Sequence, residues 1–342
     1  MVLESKVDVM KYSHSIGICV MTGRGFMFPV DTAISKDGRI HTISRGYIPA
    51  TYQMRVTMYD IDSEFYGVYG GFGKEPGQTQ LPAGMATDVE GNVYLSDEQA
   101  DRITVYDNEG NYLSHWGVSG SDRGQLRGPS GISFDGDGNL LISDHLNNRV
   151  QKFTRDGSFI SSLGDVGPKA QRLHLPWGVT ASHDNNVFVA DWGNHRIVKY
   201  SQDGDFLDCF GSEGKKESEF SNPSGVAVDV EGRIYVSDWG NERIQIFTPE
   251  GQFLQSLRGE STVSQWGLEA FEANQQEANA RKTADLEPAI EQFGGDPYEE
   301  SAHIEKFFWG PTSIKLDGSG RLYVTESNRH RIQIYEPIGK QI

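Results

Sequence analysis

The sequence predicts an all-β fold, a six-bladed β-propeller whose blades are four-stranded antiparallel sheets. The first observation is a repeat of fixed length, because four prolines follow one another at intervals of 47 residues: Pro82, Pro129, Pro176 and Pro223. The second is that an acid stands 15 residues after each proline and an arginine 20 residues after it. The third is that each period holds four alternating apolar runs between turns, the pattern of an antiparallel meander. One such sheet cannot bury both of its faces, whereas a radial arrangement covers them.

The period that starts at Pro223 shows the four strands in order. Its apolar runs occupy residues 226–228, 234–238, 243–247 and 253–257. The acid ends the second run and the arginine begins the third, so a short loop joins these two residues. Because a meander alternates direction, this loop and the link to the next blade lie on the same face of the ring. We call that face the top face.

Two irregular periods bring the number of blades to six. Pro29 precedes the first regular proline by 53 residues, and its arginine is Arg55, so the loop after the second strand of blade one has six extra residues. Pro311 follows the last regular proline by 88 residues, which is one period and 41 further residues. The excess predicts an insertion between blades five and six, at about 258–308. The acid and the arginine of blade six are Glu326 and Arg331.

The N-terminal residues are expected to close the ring. Blade six has room for three strands before Ile342, and Gly17 lies 12 residues before Pro29, where other blades end their fourth strand. We therefore expect residues at about 11–17 to form the outer strand of blade six, which would also hold the N-terminus in place. In this interpretation residues 1–342 form a single propeller domain.

The insertion has helical character. Ser264 is a capping residue for a helix that continues to Lys282, and Pro288 interrupts it before a further turn at 289–293. Long insertions on a rigid scaffold often carry function. Two interpretations remain open, a helix packed on the rim of the ring and a lid over the mouth of the central channel.

Composition argues against several partners. The formal net charge is −17, whereas binding to nucleic acid or to an anionic membrane depends on Lys and Arg, so we expect neither partner. No apolar run approaches the length that spans a bilayer. The first residues lack the basic start and apolar core of a signal peptide, which predicts a cytoplasmic protein.

The repeat resembles that of the NHL repeat family. The resemblance rests on residues 222–229 (Asn-Pro-Ser-Gly-Val-Ala-Val-Asp) and 237–244 (Ser-Asp-Trp-Gly-Asn-Glu-Arg-Ile). It implies a propeller over nearly the whole chain, but the family includes RNA-binding and protein-binding modules, extracellular sensor domains and an enzyme, the peptidyl-hydroxyglycine amidating lyase. In that lyase three zinc-binding histidines each follow a blade-opening proline. Those positions here hold Val30, Ala83, Ser130, Trp177, Ser224 and Thr312, so the resemblance implies neither the zinc centre nor the lyase activity.

The top face is the expected functional face, because both departures from the period lie on it. The acid and arginine recur in five blades, so we interpret them as a structural pair that holds each top loop. Blade one has Ser44 in place of the acid. This change favours the adjacent Arg45 as a ligand-binding residue, and Tyr47 is a loose analogue of the catalytic tyrosine of the lyase.

Polar and aromatic residues of the top loops are the candidate ligand-binding residues. Trp177 and Trp309 occur once in the repeat and favour a pocket. Trp192 and Trp239 recur, and they either line the pocket or pack between blades. The scattered histidines either form hydrogen bonds or converge on a zinc ion, and we expect no metal and no cofactor because the ligand spacing is missing. The candidates are Arg45, Tyr47, Glu98, His145, Trp177, Trp192, His195, Trp239, Trp309 and His330.

Two functions remain open from the sequence. The first is a propeller that binds a small organic or peptide-like ligand at the mouth of its channel, with hydrolase or lyase activity as one form of it. The second is a protein-interaction scaffold without catalysis. RNA binding is the least favoured because of the negative charge. The candidates would favour the first function if they line one concave surface.

Overall fold

The computed structural model describes residues 8–46, 53–289 and 295–339. Within them, six four-stranded antiparallel sheets form a ring, which confirms the predicted six-bladed propeller. In each blade the first strand lines the central channel and the fourth forms the outer wall. Loops and links of the top face therefore surround the mouth of the channel.

The strands follow the predicted order in every blade. The chain begins with β1 (Met10–Ile16), which belongs to blade six. Blade one contains β2 (Pro29–Ile34), β3 (Ile40–Ser44), β4 (Arg55–Tyr59) and β5 (Phe65–Tyr69). Blade two contains β6 (Pro82–Thr87), β7 (Val93–Asp97), β8 (Arg102–Tyr106) and β9 (Tyr112–Trp116). Blade three contains β10 (Pro129–Phe134), β11 (Leu140–Asp144), β12 (Arg149–Phe153) and β13 (Phe159–Leu163).

The other three blades repeat this arrangement. Blade four contains β14 (Val179–Ala181), β15 (Val187–Asp191), β16 (Arg196–Tyr200) and β17 (Phe206–Phe210). Blade five contains β18 (Pro223–Val228), β19 (Ile234–Asp238), β20 (Arg243–Phe247) and β21 (Phe253–Leu257). Blade six contains β22 (Pro311–Leu316), β23 (Leu322–Glu326) and β24 (Arg331–Pro337).

Register places the proline and the acid of a blade opposite each other at the top. Pro82 pairs with Asp97 in blade two, and the same pairing occurs in blades three, five and six. In blade one Pro29 pairs with Ser44, and Ser44 pairs with Arg55, as the six-residue shift predicts. Proline suits the first position of a strand because it has no N–H to add to the ladder.

Apolar side chains from neighbouring blades form the core between the sheets. Leu141 and Val150 of blade three, for example, pack with Val187 and Val198 of blade four, and all four are fully buried. Burial of an aliphatic side chain of this kind contributes about 1.5–3 kcal/mol. Contacts between blades therefore supply much of the stability of the ring.

The N-terminal strand closes the ring as predicted. β1 pairs antiparallel with β24, from Met10 opposite Pro337 to Ile16 opposite Ile332. The amide of Gln255 in blade five accepts the N–H of Met10 at 3.0 Å and donates to its carbonyl at 3.0 Å. The closing strand is thus attached to two blades.

Glycines bring the innermost strands into direct contact. They stand two residues after the proline in four blades: Gly84, Gly131, Gly178 and Gly225. A Cβ atom on Gly131 would lie 2.5 Å from the Trp177 carbonyl oxygen. The Gly131 N–H donates to the same oxygen at 2.9 Å. Only glycine permits this approach between β10 and the start of blade four.

An ion pair completes the closure of the central channel. Lys315 Nζ lies 3.2 Å from Asp31 Oδ2 and donates to the Met85 carbonyl at 3.0 Å, so it joins blades six, one and two. The remaining cavity is about 30 Å³. A cavity of this size holds about one water molecule and is too small for an organic ligand.

The described part of the insertion, 258–289 and 295–308, forms three short helices. They are α1 (Gln265–Ala273), α2 (Gln275–Thr283) and α3 (Pro297–His303). The single helix predicted from Ser264 to Lys282 is wrong in one respect, because Asn274 interrupts it and caps α2. Helix α3 was not predicted, although Asp296 before a proline is a helix-start signal. The turn predicted at 289–293 lies almost entirely outside the described residues.

Helix α1 packs on the outer wall, against blade one and β1. Its Trp266 is 1% exposed and contacts Phe26 and Tyr59. The Trp266 indole N–H donates to the Ser63 carbonyl at 2.7 Å, in the turn between β4 and β5. That turn is on the face opposite the top, so the contacts agree with the rim interpretation of this helix and not with a lid. Within the described residues, no helix is both long and apolar enough to cross a membrane.

Replacing Ser264 with alanine should destabilise the protein by about 1 kcal/mol, the usual cost of a lost N-cap. The Ser264 hydroxyl accepts the Gly267 N–H at 3.1 Å and donates to the Gly17 carbonyl at 2.5 Å. Urea denaturation measures the loss. Ser264→Thr keeps the oxygen and is the control; equal losses in the two variants would contradict the assigned cap.

Candidate functional site

Two rings of side chains surround the mouth of the channel on the top face. The inner ring is formed by the residue after each blade-opening proline, and the outer ring by the residue after each acid or after Ser44. The inner ring consists of Val30, Ala83, Ser130, Trp177, Ser224 and Thr312. The outer ring consists of Arg45, Glu98, His145, Trp192, Trp239 and Ser327. Six of the ten predicted ligand-binding residues belong to these rings.

A buried ion pair supports the top loop in four blades. In blade three Arg149 Nε lies 2.8 Å from Asp144 Oδ2, and its Nη2 donates to the Asp122 and Gln125 carbonyls at 2.7 and 3.0 Å. The equivalent pairs are Arg196–Asp191, Arg243–Asp238 and Arg331–Glu326. The structural interpretation of the acid and arginine therefore holds in blades three to six.

Blade two lacks this ion pair, so the expectation was wrong there. Arg102 donates to the Gln78 carbonyl at 2.7 Å, and its Nε has no partner among the described residues. Asp97 instead accepts the N–H groups of Gln80 and Leu81 at 2.7 and 2.9 Å. A full set of backbone donors satisfies this carboxylate without a guanidinium.

A second recurring contact, which was not predicted from the sequence, joins each of blades two to six to the next blade. The residue before the blade arginine has a left-handed backbone, with φ of 51–55°. Its side chain accepts the N–H of the residue before the next blade-opening proline. Asn148, for example, accepts from Leu175 at 2.8 Å. The other pairs are Asp101 with Gly128, His195 with Asn222, Glu242 with Gly310, and His330 with Phe28. We call these five residues the blade staples.

Two predicted ligand-binding residues, His195 and His330, are blade staples. In both, Nδ1 accepts a backbone N–H, at 3.1 and 2.9 Å, so the proton of the neutral ring resides on Nε2. Burial lowers the pKa of His330 to about 4. Both rings thus contribute a backbone contact between blades, and neither presents a basic nitrogen.

Stability should fall on acidification through His330, and His330→Asn should reduce that fall. The folded pKa of about 4 lies below the ordinary value of 6.5, so this contribution is complete above pH 6.5 and is lost as pH falls towards 4. Asparagine is the natural residue at the equivalent position 148, where its side-chain oxygen accepts the equivalent N–H, and it does not titrate. Urea denaturation at pH 7.5 and pH 5 measures the difference. Equal losses in wild type and variant would contradict the prediction.

Glu242 is a buried acid that belongs to the same series. One oxygen of its carboxyl group accepts the Gly310 N–H at 2.6 Å, and burial raises the pKa of Glu242 to about 8. A perturbed pKa often marks a functional site. Here the carboxyl group has its partner in the link between blades five and six, and Arg258 covers the adjoining backbone by donating to the Glu242 carbonyl at 2.9 Å. We therefore assign Glu242 a structural role.

Arg45 bridges blades one and two at the mouth. Its Nε donates to the Pro82 carbonyl at 2.7 Å and its Nη2 to Glu98 Oε2 at 2.8 Å. Burial raises the pKa of Glu98, and the Arg45 charge opposes that rise. Among the described residues, blade one has no staple to blade two. Arg45 joins these two blades instead, by donating hydrogen bonds to residues of blade two. Two predicted ligand-binding residues are thus adjacent and form one polar element of the mouth.

His145 and Trp177 form a second element, between blades three and four. Their ring centroids lie 5.1 Å apart in an edge-to-face arrangement. His145 Nδ1 donates to the Pro176 carbonyl at 3.2 Å, which leaves the lone pair of the neutral imidazole on Nε2. Burial lowers the pKa of His145. Among His145, His195 and His330, this is the one whose Nε2 is the basic nitrogen.

The remaining candidates do not belong to either of these two elements. Trp239 is 41% exposed, which does not match packing between blades, whereas Trp192 is half-buried. Trp309 contacts Tyr298 of α3 and Arg329, at 5.8 and 5.2 Å between centres. It therefore lies beside α3 and away from the two mouth elements. Tyr47 lies outside the described residues.

The side chains of the described ranges provide no metal centre. Among residues 8–46, 53–289 and 295–339, no group of three or more His, Cys, Asp or Glu side chains is placed to hold a metal ion. The histidines of the top loops have separate backbone partners instead. The mouth therefore offers a base, a guanidinium, a carboxylate and an indole to a ligand.

Comparison with known families identifies the repeat. The family model described as the NHL repeat matches residues 126–153, 173–200, 220–247 and 308–335, which fall in blades three to six. Each match ends in the third strand of its blade. No curated protein matches the chain in sequence.

Solved structures share the fold at low sequence identity. A catalytically inactive virginiamycin B lyase from Staphylococcus aureus with quinupristin is 12% identical, with a TM-score of 0.57 over 96% of this chain and 99% of that chain. A gluconolactonase from Xanthomonas campestris is 15% identical, with a TM-score of 0.58 over 97% and 95%. A protein of unknown function from Bacteroides thetaiotaomicron is 17% identical, with a TM-score of 0.61 over 96% and 76%. Likeness at this level concerns the fold alone.

Proposed function

We propose that this chain, a six-bladed β-propeller that contains NHL repeats, binds a small organic or peptide-like ligand at the mouth of its closed channel. We further propose that His145 acts on the ligand as a general base, in a hydrolysis or an elimination. The observation that carries the proposal is the His145–Trp177 pair, in which a basic nitrogen adjoins an indole at the mouth. An apolar surface with a few placed polar groups is the usual composition of a ligand site.

The protonation of His145 supports the role of a base. Its Nδ1–H donates to a carbonyl oxygen, and burial lowers its pKa, so the ring is neutral near pH 7 with a free electron pair on Nε2. His195 and His330 accept through Nδ1 and have their proton on Nε2. Of these three histidines, His145 alone can accept a proton through Nε2 without losing a backbone contact.

Neighbouring side chains favour a ligand with both an apolar ring and a polar group. Trp177 offers its indole, while Arg45 and Glu98 offer charge from blades one and two. The cavity in the channel is too small for an organic ligand, so a ligand would lie across the mouth rather than enter the channel. The propeller fold also occurs in a lyase and a gluconolactonase, and this supports elimination and hydrolysis as the first reactions to test.

A ligand screen with two variants tests the proposal. The probes are glucono-1,5-lactone, quinupristin and a panel of other lactones and cyclic peptides, assayed by thermal shift and by turnover at neutral pH. We expect Trp177→Ala to weaken binding about tenfold, which is 1.4 kcal/mol. We expect His145→Gln to lower kcat by about 10²–10⁴-fold with affinity nearly unchanged.

His115→Gln is the matched control, since His115 lies exposed on the outer strand β9. It should behave as the wild type in both assays. If no probe binds, or if Trp177→Ala binds every probe as tightly as the wild type, the ligand site is wrong and the interaction scaffold becomes the better description. If binding depends on Trp177 but the His145→Gln variant has the wild-type kcat, the assignment of His145 as the general base is wrong.

A further inference from the structure

The insertion forms an apolar groove on the outer wall, separate from the mouth of the channel. The groove has a volume of about 560 Å³. Its apolar lining consists of Val263, Leu268, Phe271, Ala278 and Leu286, and its polar lining of Glu272, Gln275, Arg281 and Lys282. All of these residues belong to α1, α2 and the segments beside them.

Opposite faces of α1 have different environments. Trp266 is 1% exposed against the propeller, whereas Leu268, two residues later, is 49% exposed. Leu268 and Phe271 are three residues apart, so they lie on the same face of the helix and point into the groove. Trp266 fixes the helix to the ring and thereby holds this apolar face outward.

An ion pair fixes the opposite side of the groove. Arg281 of α2 donates to both carboxylate oxygens of Glu305, at 2.5 and 2.6 Å, and its guanidinium lies 5.7 Å from the Phe271 ring centre. A bidentate contact of this kind is geometrically specific. Helix α2 is thus held at a set distance from α1, and the groove exists before a partner arrives.

The insertion that forms the groove carries a net negative charge. Residues 258–308 contain eleven acidic and four basic side chains. Glu272 lines the groove, and Glu277 is exposed at the start of α2. Glu305 compensates the charge of Arg281, which leaves Lys282 as the uncompensated cation of the lining. Complementarity therefore favours a cationic partner.

We propose that this groove binds an amphipathic helix with a basic flank, supplied by a protein partner. The apolar residues of that helix, at spacings of three and four, would fill the space between Leu268, Phe271 and Leu286. Its Lys and Arg residues would face Glu272 and Glu277. An exposed apolar groove with a polar rim is a common form of protein-interaction site.

Selection from a random 16-residue peptide library on the purified full chain tests this proposal. We expect enriched peptides with apolar residues at helical spacing and an excess of Lys and Arg. Synthetic copies should bind Leu268→Ser about tenfold more weakly than wild type. They should bind Glu272→Lys about fivefold more weakly, with less dependence on salt. Leu113→Ser is the matched control, because Leu113 is a 50% exposed leucine on β9.

Each other outcome contradicts the proposal. Enriched peptides that are acidic or lack helical spacing would show that the groove does not select this partner. Equal affinity for Leu268→Ser and Leu113→Ser would mean that the peptides bind elsewhere on an acidic surface. An affinity that rises in Phe293→Ser would indicate that residues 290–294 of the chain itself occupy the groove. Circular dichroism on each variant checks that α1 and α2 remain folded.

Discussion

Gly131→Ala is expected to destabilise the protein by about 3 kcal/mol, at the upper end of the usual cost of overpacking. The added Cβ would lie 2.5 Å from the Trp177 carbonyl oxygen and 2.9 Å from Gly178 Cα. Both are backbone atoms, so no side chain can rotate away to relieve the contact. The adjacent hydrogen bond from Gly131 N–H to the same oxygen, 2.9 Å long, would lengthen as the strands separate. Urea denaturation measures the loss.

Gly318→Ala is the matched control for this effect. Gly318 lies in the turn between β22 and β23, and a Cβ there would meet nothing within 4 Å. We expect a change of less than about 0.5 kcal/mol, as for most surface substitutions. Equal losses in the two variants would show that the innermost strands are not in tight contact. Because the strain falls on Trp177, the Gly131 variant should also weaken any ligand that binds at the mouth.

The periodic part of the fold could be predicted because every level of the sequence agrees there. The spacing of Pro82 and its equivalents sets the blades, and alternation sets the strands. The irregular blade one was predictable as well, because the position of Arg55 gives the length of the loop between the second and third strands of that blade. In the insertion, Ser264 predicted the start of α1, but no repeat constrains the rest, and the break at Asn274 was missed.

Contacts between blades were the part that the sequence did not reveal. Arg45 and Glu98 stand 53 residues apart, and neither one alone indicates the other. The blade staples had a signal, a polar residue directly before the blade arginine in blades two to six. Their partner, however, is a backbone N–H, which any residue other than proline provides. The closure of the channel likewise depends on Asp31 and Lys315, which meet only when blades one and six are neighbours.

Because contacts between blades could not be predicted, the presence of a histidine in a top loop did not indicate what that histidine does. His145, His195 and His330 look equivalent in the sequence. They differ in the backbone group that faces Nδ1, which is an N–H donor at His195 and His330 and a carbonyl acceptor at His145. That difference follows from the position of each histidine in its loop. His195 and His330 stand directly before the blade arginine, whereas His145 stands directly after the acid.

Arg149→Ala is expected to destabilise the protein by about 3–5 kcal/mol, the cost of breaking a buried ion pair from one side. Asp144 is fully buried, and the side chain of Arg149 is 6% exposed. Without the guanidinium, Asp144 would keep the Arg127 N–H at 2.6 Å and the amides of Asn147 and Gln151, both at 2.9 Å, but no cation. The Asp122 and Gln125 carbonyls would each lose one of their two donors, because the Gln125 N–H and the Gln151 amide remain. Urea denaturation at pH 7 measures this cost.

Arg102→Ala supplies the control, because Arg102 has the same place in the repeat of blade two. It forms one hydrogen bond, to the Gln78 carbonyl, while Asp97 takes four backbone N–H groups. Replacing Arg102 should lower the free energy of unfolding by about 1 kcal/mol, the net contribution of a typical hydrogen bond. The difference between the two variants isolates the buried pair from the shared loss of aliphatic packing. Equal costs would mean that the carboxylate in blade three, like that in blade two, is satisfied by backbone and amide donors alone.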